Sequence, residues 1–156
     1  MFLLDKIQLP IVKENDLDDV PPAGIRMAKP DGDHRLIVQA GAGKKVVQAY
    51  LASIAFADTC LGRVLRALDS GPNASETIIM YWTDHGWHLG EKQHWRKFTL
   101  WERSTRMPMM MSVPGITKPN TRCDRVVSLL DVYPTFIDLL DLPPKSDAPA
   151  LGTQGE

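Results

Sequence analysis

Thr77–Arg106, T-I-I-M-Y-W-T-D-H-G-W-H-L-G-E-K-Q-H-W-R-K-F-T-L-W-E-R-S-T-R, is the stretch around which the rest of the chain is organised. Its opening run, Thr77–Thr83, is apolar and rich in β-prone residues, with the length and composition of a buried strand. The run stops at Asp84-His85-Gly86, which places an acid, an imidazole and a glycine just past the strand's carboxyl end. In open α/β sheets that edge is where ligands bind. His88, Glu91, Lys92, His94, Arg96 and Lys97 follow at once, and three of the four tryptophans lie between Trp82 and Trp95. Metal-ligating, anion-binding and pocket-lining side chains are concentrated here and nowhere else in the chain.

The residue types suggest a chemistry. Asp84 offers a hard oxygen suited to Ca²⁺ or Mg²⁺. His85, with His88, Glu91 and His94 nearby, would equally suit zinc or manganese, although the spacing matches no zinc helix motif. Arg96 and Lys97 are cations where a bound anion would be held and its developing charge neutralised. Gly86 and Gly90 permit the tight backbone that such a loop needs. A metal beside cationic side chains is equipment for hydrolysing a sulfate or phosphate ester. The bland alternative is a solvated, charged loop with incidental histidines.

Working upstream, Lys45–Asp69 reads as the clearest helix, because Val47, Leu51, Ile54, Leu61, Leu65 and Leu68 recur at three- and four-residue steps. Asp58 falls in the middle of that stripe, where a carboxylate needs partners, so it is expected to be a structural anchor or else a site residue. Ser70-Gly71-Pro72-Asn73 ends the helix. Helix, short loop and buried strand make half of an α/β repeat. Residues 1–35 carry prolines at 10, 21, 22 and 30 and acids at 14, 16, 18 and 19, a run that cannot hold a long helix. A polar arm over a larger body and free disorder are the two readings of it. Gly41-Ala42-Gly43 lacks the strand and the Gly-Lys-Ser/Thr of a phosphate loop and reads as a lead into the helix.

Downstream, Phe98–Arg103 is expected to form a short helix and Met107–Val113 a second strand ended by Pro114-Gly115. The methionines at 107, 109, 110 and 111 read as core rather than ligands. Val126–Leu130 is a short apolar run, and Asp131–Leu142 a helix with Asp131 as N-cap and Pro134 in its first turn. Residues 143–156 are rich in Pro, Gly and Ala.

Composition sets the outer limits. The 156 residues are one domain's worth, and 44% hydrophobic with 24% charged residues are ordinary globular values. A net charge of −1 gives no footprint for nucleic acid or an anionic membrane. No apolar run approaches the roughly 20 residues that span a bilayer. Met1–Leu4 is followed at once by Asp5 and Lys6, so no signal-peptide core is expected in this segment. Cys60 and Cys123 read as two buried or free thiols, with one pairing left open.

The run D-H-G-W-H-L-G-E-K-Q-H-W-R-K-F-T-L-W-E-R-S-T-R-M-P closely resembles the second signature region of type I sulfatases of the alkaline phosphatase superfamily, the iduronate-2-sulfatase-like bacterial members above all. The likeness extends to residues 50–69, 113–115 and 128–135, and to D-K-I-Q-L-P and D-L-D-D-V-P-P near the start. It implies Ca²⁺ as cofactor, with Asp84 and His85 as two of its ligands, and Lys97 as the lysine that contacts the substrate's sulfate. Asp58 matches a family aspartate taken as structural. His88, Glu91, His94 and Arg96 lie in the motif without an assigned role, in specificity or in support of the residues that touch substrate.

The departure is the nucleophile. Sulfatases attack with a formylglycine made in a C-x-P-S-R-type motif, but Cys60 is followed by Leu-Gly-Arg and Cys123 by Asp-Arg-Val. The family's N-terminal aspartate pair is missing too. The resemblance therefore implies a fragment: residues 1–44 as an irregular, Pro-rich linker or arm, 45–142 as a partial catalytic domain and 143–156 as a truncated tail. The implied fold is α/β, a partial alkaline-phosphatase-like sandwich of helix–strand units on a mixed sheet. The implied substrate is a sulfate ester, in the parent a sulfated glycan, with a missing N-terminal half as partner and a periplasmic or exported parent. The alternatives are a non-catalytic fragment or pseudoenzyme and a phosphoester hydrolase of the same superfamily. A sheet lacking several strands would expose apolar faces and open edges.

Overall fold

The computed structural model describes residues 2–143, which divide into two compact units at Lys118/Pro119. In the first unit a turn at Leu4–Lys6 leads through an acidic stretch to two short helices, α1 (Pro22–Ala28) and α2 (Arg35–Gln39). Helix α3 (Gly43–Asp69) follows, then strand β1 (Ile79–Trp82), the small strands β2 (His88–Leu89) and β3 (Trp95–Arg96), helix α4 (Glu102–Thr105) and strand β4 (Met109–Ser112). The expected helix and two principal strands are present, and the helix-plus-strand composition is that of an α/β chain.

The long helix forms where the three- and four-residue spacing demands, but it uses only part of its apolar stripe. Val47 is buried with Ile7 and Trp95, and Val46, Leu51, Ile37 and Leu89 pack against this cluster. Further along, Ile54, Phe56 and Val64 are exposed. Asp58 is exposed as well, which corrects its expected place in a buried stripe: among the described residues no layer covers this length of the helix, so the carboxylate stays in water.

Strand β1 pairs with β4 in antiparallel register, with Ile79 opposite Ser112 and Trp82 opposite Met109. Among the described residues both sheets are two-stranded and antiparallel, where a mixed sheet was expected. The strand is correspondingly not buried: Tyr81 is 39% and Trp82 45% exposed. A ribbon with one neighbour and no covering layer cannot bury both faces. Strand β4 starts two residues later than Met107 because Pro108 carries no N–H for the ladder. Helix α4 likewise begins only at Glu102, after an extended Trp101.

The N-terminal arm is ordered by contacts to the central loop. Short helical turns replace the irregular chain expected there, and the arm packs at Leu17 and Ala28, both buried. In the second unit a single turn at Leu129–Asp131 runs into α5 (Val132–Leu139). Asp131 stands at the N-cap position of α5 as expected, without a side-chain cap, and the turn before it is capped by Ser128: the Leu130 amide donates to the Ser128 hydroxyl, and the Ser128 amide to the Asp131 carboxylate. Val126, Val127 and Leu130 are exposed, as is Cys123; Cys60 is half-buried, and both thiols are free. No helix among the described residues is long and apolar enough to cross a membrane.

Candidate functional site

The loop after β1 is organised in two turns. The first holds Asp84 and His85. The Thr83 hydroxyl donates to the His85 carbonyl at 2.8 Å, and the Gly86 amide donates to the Ser104 carbonyl at 2.7 Å. Only glycine fits at 86, because a Cβ there would lie 2.0 Å from the Arg103 carbonyl oxygen. Trp87 packs over this turn, stacked on Tyr50 of α3 and tilted against the His85 ring, each at 6.1 Å between centroids.

His85 Nδ1 lies 2.9 Å from the Gly86 carbonyl, an acceptor, so Nδ1 carries a proton. Nε2 then faces the Asp84 carboxylate at 3.4 Å, either with a lone pair or with a second N–H. Asp84 itself is open to solvent, 77% exposed at the side chain.

The second turn is a hairpin, with His88 opposite Arg96 and Leu89 opposite Trp95. Its tip needs left-handed backbone at Gly90 (φ 118), Lys92 (φ 55) and Gln93 (φ 48), and Arg96 (φ 77) repeats that conformation just before Lys97. Trp95 anchors the hairpin in the core against Val47 and Ile7. The arm holds the outer side. Lys92 Nζ pairs with Asp16 at 2.9 Å, the Lys92 amide donates to the same carboxylate at 2.9 Å, and Asp19 lies 3.8 Å from Nζ. Burial tends to raise the Asp16 pKa, but the hydrogen bonds and charge of Lys92 outweigh it and hold the carboxyl below its ordinary value. Arg96 Nε pairs with Asp33 at 3.0 Å, and Arg103 Nε with Glu91 at 3.4 Å.

These ion pairs single out Lys97. Of the basic side chains at 92, 96, 97 and 103, three are neutralised by a carboxylate of the chain. Among the described residues none lies within ion-pair distance of Lys97, whose Nζ sits 5.6 Å from the Phe98 ring centroid.

His88 and His94 are the interior of the hairpin, not its outward-facing groups. His88 is fully buried; its Nδ1 lies 3.1 Å from the Glu91 carbonyl and its Nε2 3.0 Å from the Thr99 hydroxyl. Burial pushes its pKa below the ordinary 6.5. His94 Nδ1 lies 2.7 Å from the Ala28 carbonyl and its ring meets His88 edge-on, 5.3 Å between centroids. Glu91 turns back to accept the Leu89 amide at 2.7 Å. The four residues left without a role by the motif thus shape the hairpin: His88, Glu91 and His94 from inside, Arg96 through the arm.

Thr99 and Ser104 were not singled out in the sequence, yet they complete the interior. The Thr99 hydroxyl is 2.8 Å from that of Ser104, which donates to the Lys97 carbonyl at 2.9 Å. Nothing in their spacing marks them; small hydroxyl residues in a polar loop read as solvated.

The family model described as Sulfatase matches residues 13–142. The chain belongs to the sulfatase family. It is 39% identical over 146 residues to a sulfatase of Formosa agariphila, covering 91% of this chain and 28% of that protein. To the human iduronate 2-sulfatase it is 32% identical over 133 residues, 69% of this chain and 24% of that protein. To the human arylsulfatase K it is 35% identical over 100 residues, 64% and 18% respectively. The chain spans about a quarter of the length of the first two of these relatives.

Calcium, which the sulfatase resemblance implies, takes about six to eight oxygen ligands. Asp84 supplies one carboxylate, and the adjacent imidazole is a soft donor for so hard an ion. No three of His, Cys, Asp and Glu gather as a metal site among the described residues. Asp84 and His85 therefore do not make a calcium site by themselves.

Proposed function

We propose that this sulfatase-family chain is the anion-binding and part of the metal-binding side of a sulfuric ester hydrolase that acts, in a longer parent, on sulfated glycans. The observation that carries this reading is the contrast at the loop: Lys92, Arg96 and Arg103 are neutralised by carboxylates, and among the described residues Lys97 has none within ion-pair distance. A lysine held on a tied turn, with no carboxylate partner among the described residues, is equipped to bind a sulfate oxygen and to neutralise charge as the ester bond breaks. Asp84 and His85 would contribute one edge of a Ca²⁺ site, with further carboxylates from outside these 156 residues. The formylglycine nucleophile would come from outside them as well, since neither cysteine lies in a C-x-P-S-R-type motif. A segment that brings these groups would also cover the exposed faces of α3 and β1 and complete an alkaline-phosphatase-like sandwich.

The test is assembly. This chain is co-expressed with the formylglycine-bearing segment of a sulfatase-family relative, and hydrolysis of an aryl sulfate and an aryl phosphate is followed. Sulfate-ester cleavage is expected only from the pair, falling by about 10²- to 10³-fold in Lys97→Ala, the range for removing one charge-stabilising donor. Preference for the phosphate ester, or a Lys97→Ala pair as active as the parent, refutes the reading.

A further inference from the structure

We propose that Ser104 is a positioning residue, whose backbone holds the Asp84–His85 turn and whose hydroxyl holds Lys97. The inference rests on the reading of Lys97 as the sulfate-binding cation. Ser104 is buried and touches both turns through different atoms. Its carbonyl accepts the Gly86 amide at 2.7 Å, next to His85. Its hydroxyl donates to the Lys97 carbonyl at 2.9 Å. The metal-ward and sulfate-ward turns are therefore joined through one residue, and the close approach of Gly86 to the Arg103 carbonyl leaves no slack on the first side.

The Lys97 turn needs such a hold. Arg96 precedes it with φ 77, a left-handed conformation that a residue with a Cβ adopts only when its surroundings enforce it. The enforcing contacts are the Arg96–Asp33 ion pair outside and, inside, the Thr99 amide and Ser104 hydroxyl, both on the Lys97 carbonyl.

The hydroxyl's direction follows from proton counting. His88 Nδ1 faces a carbonyl and must carry a proton, so in the neutral ring Nε2 is an acceptor and Thr99 donates to it. That commits the Thr99 proton away from Ser104. The Ser104 proton then has two acceptors, the Lys97 carbonyl and the Thr99 oxygen at 2.8 Å, and both lie on the turn that carries Lys97. Whichever acceptor it chooses, the hydroxyl ties α4 to that turn. Alanine at 104 would remove the tie and leave the Gly86 bond intact; threonine would keep both.

The experiment uses the full 156-residue chain labelled with ¹⁵N, with inorganic sulfate as the probe. Amide hydrogen exchange and sulfate-induced shifts are compared for the parent, Ser104→Ala, Ser104→Thr and Lys97→Met. In Ser104→Ala the Thr99 amide is expected to exchange about five- to tenfold faster, the loss of one buried hydroxyl hydrogen bond. The Lys97 response is expected to need several-fold more sulfate, with the Gly86 amide unchanged and Ser104→Thr restoring both. Parent-like Thr99 exchange and sulfate response in Ser104→Ala overturn the proposal, as does equal loosening of Gly86 and Thr99. Should Ser104→Ala fail to fold, Ser104→Cys decides, since it fills the same space with a weak donor: faster Thr99 exchange with Gly86 unchanged is expected, and parent-like exchange and sulfate response overturn the proposal. A Lys97→Met chain that keeps the sulfate response refutes Lys97 as the anion site, and Thr99 exchange still judges the Ser104 tie.

Discussion

Replacing Asp16 by alanine withdraws one carboxylate from both the backbone and the side chain of Lys92. The Asp16 carboxylate accepts the Lys92 amide at 2.9 Å and pairs with Nζ at 2.9 Å, the two side chains being only 18% and 23% exposed. A charge-assisted hydrogen bond contributes about 1.5–3 kcal/mol, and the partial burial places this one near the middle. Lys92 and Gln93 also sit at φ 55 and 48, so the hairpin tip stores strain of order 1 kcal/mol per residue that the clamp offsets. Asp16→Ala is therefore expected to destabilise the 89–97 hairpin by about 2–3 kcal/mol. Asp16→Asn, which keeps an oxygen for the Lys92 amide and loses the charge, should cost about half of that.

The assay is hydrogen exchange of the amides from Leu89 to Lys97, with a double-mutant cycle against Lys92→Met to isolate the pairwise part, expected at about 1–2 kcal/mol. The pH dependence supplies an independent sign. Because the folded Asp16 pKa lies below the ordinary 3.8, its contribution is complete above 3.8 and is lost as the pH falls from there through the folded value. Asp16→Asn should show no such step. Asp16→Ala and Asp16→Asn both within about 0.5 kcal/mol of the parent, the range of ordinary surface substitutions, would refute the clamp.

Gly86→Ala forces a methyl to within 2.0 Å of a backbone carbonyl that cannot swing away. It is expected to cost about 2–3 kcal/mol in urea unfolding of the first unit, the upper part of the overpacking range, with loss of the Gly86–Ser104 hydrogen bond. His88, buried and held below 6.5, makes the unfolded chain the better proton binder, so stability is full above 6.5 and declines as the pH falls from there toward the folded value. Following the His88 ring protons against pH checks this: a midpoint at or above 6.5 contradicts the burial argument.

The long helix and the strand before Asp84 were legible because their signals are local: three- and four-residue periodicity in one case, a short β-prone run bounded by turn residues in the other. What covers them is not local. Ile54, Leu61 and Leu65 announce a buried stripe equally well whether or not a layer lies over it, and so Asp58 and Trp82 were expected inside and lie in water. The site was legible as a concentration of residue types, and the resemblance proposed roles for Asp84, His85 and Lys97, but what His88, Glu91, His94 and Arg96 do was not legible. His88 and Lys97 look alike as polar members of one loop. Only the fold shows that the first is an interior strut and that the second has no carboxylate partner among the described residues. Asp16 and Asp33 sit 76 and 63 residues before their partners Lys92 and Arg96, so no spacing within the loop could have named them.

The two halves of the site are built to different standards, and that difference bears on what the chain can do. Lys97 is fixed by Trp95 in the core, by an arm that clamps the hairpin at three points, and by a buried chain of imidazole and hydroxyl groups. Asp84 follows a two-stranded ribbon whose end is exposed, and its neighbours Thr83 and Gly86 tie the turn with two hydrogen bonds. A lone lysine tolerates this, because an anion approaching from solvent needs one charge well placed. A cation site does not, because several carboxylates must converge at ligand distance, and their mutual repulsion disperses them unless the cation or a rigid sheet holds them together. On the proposed reading, the chain would carry a well-held anion turn beside an incomplete metal edge. In the sulfatase reading, sulfate recognition would come ready-made from this segment, whereas metal binding would emerge only when further carboxylates and a covering layer stiffen the end of β1.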